Sequence, residues 1–320
     1  MSEQQSVSRF PGALPANVAA ATADLVRLRH AARDLTLFPR LPPRAVSAGG
    51  HQSRCRGRGM DFDEVRPYQP GDDIRTIDWR VTARTTQTHT KVFREERERP
   101  VIVVVDLRQT MFFGSKKTKS VVACEVAAAL AWAGCNAGDR VGGLVFAPDQ
   151  QRDIRAGRSH HSVLQLIKIL SDTSASLIDR RTDRFSLTQI FEDTRRIAHP
   201  GAAIVFISDF HDFDRDGERH LFELARHSDV TLCHIYDDLE VRLPPPGNYP
   251  VTNGGRRFTL NTRNVRTREA FELHKQKQFK ALQQAATRLR LAYLQVRATD
   301  EIMPLLQNAY SNKIRRRRSR

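Results

Sequence analysis

The chain has 320 residues, 40% of them hydrophobic, which suffices for a full α/β core and excludes a disordered chain. Its longest apolar run, VVACEVAAALAWAGC, is interrupted by Glu125 and falls short of the roughly 20 residues that a membrane-spanning helix needs. The net charge of +16 is uneven: residues 251–320 hold seventeen Lys and Arg against four Asp and Glu, whereas residues 201–250 hold four against ten.

In chain order, residues 1–14 read as a disordered lead-in with no secretory signal, which makes the cytoplasm the expected compartment. From Pro15 to about Phe38, Leu25, Val26, Leu28 and Leu35 offer one apolar helical face. Residues 39–59 are rich in Pro, Gly and Arg and read as an extended linker. VIVVVD (101–106) is a continuous apolar run ending in a carboxylate, as a buried parallel strand would be. A helix over 116–136, a strand over 141–146 and helices over 159–171 and 186–198 follow. AIVFIS (203–208) repeats the strand signal and leads into Asp209. A helix over 216–227, a strand over 230–236, a polar hairpin over 250–262, a helix over 267–289, a strand over 291–296 and a short last helix complete the pattern. Such alternation predicts a doubly wound, mostly parallel sheet flanked by helices. Sheets of this kind bind ligands at the carboxyl ends of their strands, where Asp106 and Asp209 stand.

Enzyme signatures are missing from the sequence. It contains no phosphate-binding Gly-rich loop, no GxSxG elbow and no paired nucleophile and base. The adjacent His160 and His161 would point about 100° apart on a helix and make a poor chelate. His211, close to Asp209 and Asp212, reads as an ordinary loop histidine. Cys55, Cys124, Cys135 and Cys233 form no CxxC pair; Cys124 and Cys135 are expected in the core. The Gly142-Gly143 pair falls inside a strand and suggests close packing.

The most patterned stretch is residues 57–100, with Gly57, Gly59, Phe62, Glu64, Arg66, Tyr68, Gly71, Asp72, Arg75, Ile77, Asp78, Trp79 and Arg84. Pro70-Gly71-Asp72-Asp73 is a turn by composition. Arg66, Asp72, Arg75, Asp78 and Arg84 are expected to form a salt-bridged clamp pinned by Tyr68 and Trp79, whether structural, partner-binding or catalytic. The "F-x-E-x-R-x-Y-x-x-G-D" and "I-D-W" pattern resembles the domain of unknown function 58 family. SDF (208–210), DLE (238–240) and LPPPGNYPVTNGGRRFTLNT (243–262) resemble that family's later landmarks.

The resemblance implies a von Willebrand factor A-like fold and a MoxR-type AAA+ ATPase as partner, with this chain as a non-enzymatic protein-interaction adaptor. The domain boundaries expected are 15–99 for the helix and signature segment, 100–311 for the A-like domain and 312–320 for a basic tail. A metal-binding A-domain carries D-x-S-x-S after its first strand, a threonine on a second loop and an aspartate on a third, an all-oxygen set suited to Mg²⁺. Here the run is Asp106-Leu107-Arg108-Gln109-Thr110. Asp106, Thr110 and Asp209 keep a degenerate version of the site, with Thr182 and Thr188 both candidates for the second loop. An inward-pointing Arg108 would pair with Asp106 and Asp209 and take the metal's place, leaving no cofactor. The rim of Asp106, Arg108, Thr110 and Asp209 is then the expected partner surface. Two other readings stay open: weak Mg²⁺-dependent binding or hydrolysis at Asp106 and Asp209, and nucleic-acid or anionic-surface binding through the basic C-terminal region with its tail, residues 313–320.

Overall fold

The computed structural model describes residues 14–35, 60–70, 72–85, 87–95, 100–179, 182–252 and 257–318. The lead-in up to residue 13 and the Pro- and Gly-rich linker expected over 39–59 lie outside the described residues, as do Gly71 and the final two residues. The chain divides into a larger unit, residues 1–39 with 99–320, and a smaller one, residues 40–98. Helix α1 (Thr22–Ala31) therefore belongs to the larger unit and not to the signature segment with which the sequence grouped it. The reason is its apolar face: Leu25, Ala32 and Leu35 are buried in the main core. The Leu25 carbonyl also accepts a hydrogen bond from the buried Trp132 indole (3.2 Å).

The smaller unit pairs β1 (Met60–Pro67) with β2 (His89–Glu95) antiparallel, with a bulge between Phe62 and Glu64. Helix α2 (Trp79–Thr85) lies in the connection, and Asp78 caps it by accepting from the Arg80 and Val81 amides. Arg66 forks onto Asp72 at 2.8 and 2.7 Å, and the Tyr68 hydroxyl donates to the Asp72 carbonyl. Asp78 pairs with Lys91 at 3.4 Å. The expected clamp is thus smaller than its sequence suggests. Arg75, Arg84 and Trp79 are exposed, the last to 67%. Charge spacing alone could not show this, because the pairing depends on which side of the turn each residue faces.

In the larger unit, β3 (Val101–Asp106), β4 (Val141–Phe146), β5 (Gln151–Gly157), β6 (Ala203–Ser208), β7 (Asp229–Tyr236) and, near the C-terminus, a sixth strand form one sheet. Between them lie α3 (Lys119–Asn136), α4 (His160–Ser176), α5 (Leu187–Ile197) and α6 (Arg215–His227). The short α7 (Asp238–Val241) leads to a two-stranded ribbon, β8 (Asn248–Thr252) and β9 (Arg257–Asn261), and then to α8 (Val265–Arg288). Strand β10 (Ala292–Arg297) completes the sheet, and α9 (Ile302–Arg318) ends the chain. The sheet order is β10-β7-β6-β3-β4-β5, all parallel except β5, which runs antiparallel to β4.

The physics of the central strands is simple. Val101, Val103 and Val105 face one core with α3, α4 and α9, while Ile102 and Val104 face a second core with α5, α6 and α8. Strands buried on both faces read as continuous apolar runs. The fold class is the expected one, a doubly wound, mostly parallel sheet flanked by helices. Cys124 is buried, whereas Cys135 is only half-buried. At Gly142 a Cβ would lie 2.7 Å from the Ala156 amide nitrogen and the Ile154 carbonyl oxygen, so the close packing read from the glycine pair is real. The last helix is longer than expected: its backbone stays helical through Arg318, across most of what read as a disordered basic tail.

Candidate functional site

Strands β3 and β6 are adjacent and parallel, so their carboxyl ends open onto the same edge of the sheet. Asp106 closes β3 and is 1% exposed; Arg108, two residues later, is 2% exposed. Burying a guanidinium is costly unless every donor is met by an acceptor. Here all five are. Nε donates to Asp106 Oδ1 (3.0 Å) and Nη2 to Asp106 Oδ2 (2.9 Å). Nη1 and Nη2 donate to the two oxygens of Asp212 (2.7 and 2.9 Å), and Nη1 also donates to the Phe185 carbonyl (3.1 Å). Burial opposes the charge, but Asp106 and Asp212 together raise the Arg108 pKa above its ordinary value. Burial likewise works against ionised Asp212, yet the Arg108 fork holds its carboxyl below the usual carboxylate range.

Arg108 therefore points inward as expected, but its second carboxylate is Asp212 and not Asp209. The loop after β6 explains the exchange. Phe210 adopts φ 50°, a left-handed conformation rare for a bulky residue, and is 5% exposed. The Phe210 amide donates to Ser208 Oγ, whose hydroxyl donates to Asp106 Oδ2 at 2.7 Å. This turn sends Asp209 toward α3 and lets Asp212 fold back over Arg108.

Asp209 belongs to a second buried ion centre. Lys119, the first residue of α3, is fully buried and donates from Nζ to Asp209 Oδ2 and Glu240 Oε1, each at 2.7 Å. A cation at the positive end of a helix dipole is disfavoured, and two carboxylates offset that here. Burial would lower the lysine's pKa, but Asp209 and Glu240 raise it; Lys119 in turn holds the desolvated Asp209 well below the carboxylate range. His211 spans the two centres, 3.1 Å from Asp209 Oδ1 and 3.6 Å from Asp212 Oδ1. Its hydrogen bond to Asp209 is the main cause of its raised pKa.

The threonines fall elsewhere. Thr110 Oγ1 is buried and, among the described residues, has no hydrogen-bond partner, so it joins neither aspartate. Thr182 is exposed, and the Thr188 hydroxyl donates to Asp214 at 2.8 Å. Asp183 is the second-loop residue that reaches the site, accepting from the Gln109 amide at 2.8 Å. Burial raises its pKa, opposed by that same hydrogen bond. The expected donor set does not fit a divalent cation. The two Asp106 oxygens accept four hydrogen bonds, from the Arg108 amide, Nε and Nη2 and from Ser208, which fills a carboxylate's lone-pair directions. Asp209 is turned to Lys119, and among the described residues no group of three or more His, Cys, Asp or Glu is placed to hold a metal.

The model of the family described as "Protein of unknown function DUF58" matches residues 64–281. The chain belongs to the DUF58 family. An uncharacterized protein of Mycobacterium tuberculosis is 31% identical to it over 226 residues, 69% of each chain. Among solved structures, the conserved hypothetical protein BatB from Bacteroides thetaiotaomicron is 16% identical with a TM-score of 0.44, covering 68% of this chain and 99% of its own. The SpRpn10 VWA domain is 11% identical with a TM-score of 0.38, covering 66% and 94% respectively.

In this DUF58 chain the site is flanked by a cavity of about 20 Å³, lined by Asp209, His234, Tyr236, Glu240 and Phe279 among others. That is room for a water and not for an organic ligand. His234 is 2% exposed, packs edge-on to Phe279 with ring centroids 4.5 Å apart and meets the Tyr293 hydroxyl at 2.8 Å. Desolvation depresses its pKa to about 4. A histidine buried neutral stabilises the fold fully above its unfolded pKa of about 6.5, and the contribution is lost as pH falls toward the folded value. We expect unfolding free energy to drop by about 3 kcal/mol between pH 7 and pH 4 through this group. Urea melts of wild type and His234→Gln across that range check it, since the variant should lose most of the slope.

Proposed function

We propose that this chain is a non-enzymatic protein-interaction adaptor whose partner surface is the carboxyl-end rim of its sheet, with Arg108 standing where a metal-dependent A-domain would hold its cation. The observation that supports this reading is the five-donor burial of Arg108 between Asp106 and Asp212. A guanidinium is permanently charged and cannot leave, so the rim is fixed in one electrostatic state instead of being switched by metal occupancy.

The site as a whole is acidic. Asp106, Asp212, Asp209, Glu240 and Asp183 stand against Arg108 and Lys119, and Asp212 and Glu240 retain 30% and 23% exposure. A partner docking there would present Lys or Arg. The family resemblance makes a MoxR-type AAA+ ATPase the partner of choice. A hydrolytic role is not favoured, because His211 is engaged by two carboxylates and, among the described residues, bonds no serine, threonine or cysteine.

The test is affinity purification of the tagged full chain from nuclease-treated lysate of its native host, at physiological salt, with Asp183→Arg alongside and its melting temperature checked. Enrichment of a AAA+ ATPase with the wild type, reduced at least about fivefold by charge reversal at the rim, is the expected result. Absence of any AAA+ ATPase would remove the proposed partner, and undiminished capture by the variant would move the surface elsewhere.

A further inference from the structure

The ribbon β8–β9 is built firmly at its base and left bare toward its tip. At the base, the Thr262 amide donates to the Gly247 carbonyl (2.9 Å), Thr262 Oγ1 donates to the Pro245 carbonyl (2.8 Å) and the Gly247 amide donates to Thr262 Oγ1 (3.0 Å). Thr262 is fully buried. Toward the tip, the register pairs Tyr249 with Leu260 and Val251 with Phe258. Side chains alternate along a strand, so these four share one face, while Asn248, Pro250, Arg257, Thr259 and Asn261 take the other. One face of the ribbon therefore carries three apolar side chains and a tyrosine. Tyr249 closes its inner end by hydrogen-bonding the Pro245 carbonyl at 2.9 Å. Val251 and Phe258 remain 40% and 54% exposed. Pairing between its own strands is the ribbon's only extensive contact among the described residues. A two-stranded ribbon gains little stability alone, and the opposed Val251–Phe258 pair contributes at most about 1 kcal/mol to it while leaving both side chains open to a further contact.

The charges next to it along the chain are arginines. Arg257 lies on the opposite face, and Arg263 and Arg266 follow where β9 turns into α8, all three exposed. Helix α8 begins with the exposed Val265 and has no acidic residue in its first turn, although that end of a helix favours negative charge. An apolar edge backed by arginines is the composition of a segment lying in a lipid interface, with the apolar side chains among the upper acyl chains and the guanidinium groups on headgroup phosphates.

We infer that the β8–β9 ribbon is a peripheral contact for anionic lipid surfaces, with Val251 and Phe258 inserting and Arg263 and Arg266 engaging phosphate. This is independent of the adaptor reading of the rim. The test is sedimentation of the full chain with vesicles of phosphatidylcholine, alone or with about 30% phosphatidylglycerol, at physiological salt. Binding to the anionic vesicles only is expected, weakened about tenfold by Val251→Ser with Phe258→Ser and by Arg263→Ser with Arg266→Ser. Both pairs change exposed residues, so unchanged melting temperatures separate lost binding from lost fold. Removal of residues 313–320 should leave most of the binding. The inference is overturned if the wild type fails to sediment, if the serine variants bind like wild type, or if the truncation alone abolishes binding. Ribbon-dependent binding to a soluble acidic protein, with vesicles left unbound, would also overturn it.

Discussion

Replacing Arg108 with methionine is expected to destabilise the fold by about 3–5 kcal/mol at neutral pH, the cost of leaving buried carboxylates without their partner. Methionine approximates the volume of the arginine stem, so cavity formation contributes little and the loss is electrostatic. Asp106 has no exposure to recover solvation, whereas Asp212, with 30% exposed, can turn partly to water. The double variant Arg108→Met, Asp106→Asn should therefore recover more than Arg108→Met, Asp212→Asn. Chemical denaturation of the set gives the coupling energies, expected at about 1–3 kcal/mol for residues in direct contact. A loss within about 0.5 kcal/mol for the single variant would mean the guanidinium does not hold the site together.

Lys119→Met should cost a similar amount, about 3–5 kcal/mol, and should respond to pH in a diagnostic way. In the wild type, Lys119 holds the Asp209 carboxyl well below its ordinary range, although burial alone would raise it. A depressed carboxylate contributes stability that is present above the unfolded value of about 3.9 and is lost as pH falls through the folded one. Without the ammonium most of that depression is lost, because burial then opposes the charge with only His211 left beside the carboxylate. The gap between wild type and variant should therefore be widest near pH 7 and narrow as the solution is acidified below pH 5. A gap independent of pH would assign the cost to packing and not to charge.

The two ion centres differ in how far the sequence announced them. Asp106 and Arg108 are two residues apart at the end of an unmistakable apolar strand, so their pairing was legible. Asp212 was not, because its contact depends on the left-handed backbone at Phe210, which no residue type signals. Lys119 meets acids 90 and 121 residues away, and only the folded sheet brings them together. The fold shows the same division. VIVVVD and AIVFIS carry strong signals because both faces of their strands are buried. Strand β5 was missed, since in QRDIRAG only Ile154 is buried and an antiparallel edge strand needs no more. In the polar-looking segment 250–262, the face shared by Val251, Phe258 and Leu260 emerges only when the register of β8 and β9 is known.

Titration of the purified chain with Mg²⁺ by calorimetry at near-physiological salt tests the proposal that the Arg108 guanidinium takes the place of a rim cation. No saturable heat at millimolar Mg²⁺ and no shift in melting temperature are expected, since a bound ion would stabilise the native state by mass action. Binding of Mg²⁺ with a sub-millimolar dissociation constant would contradict it.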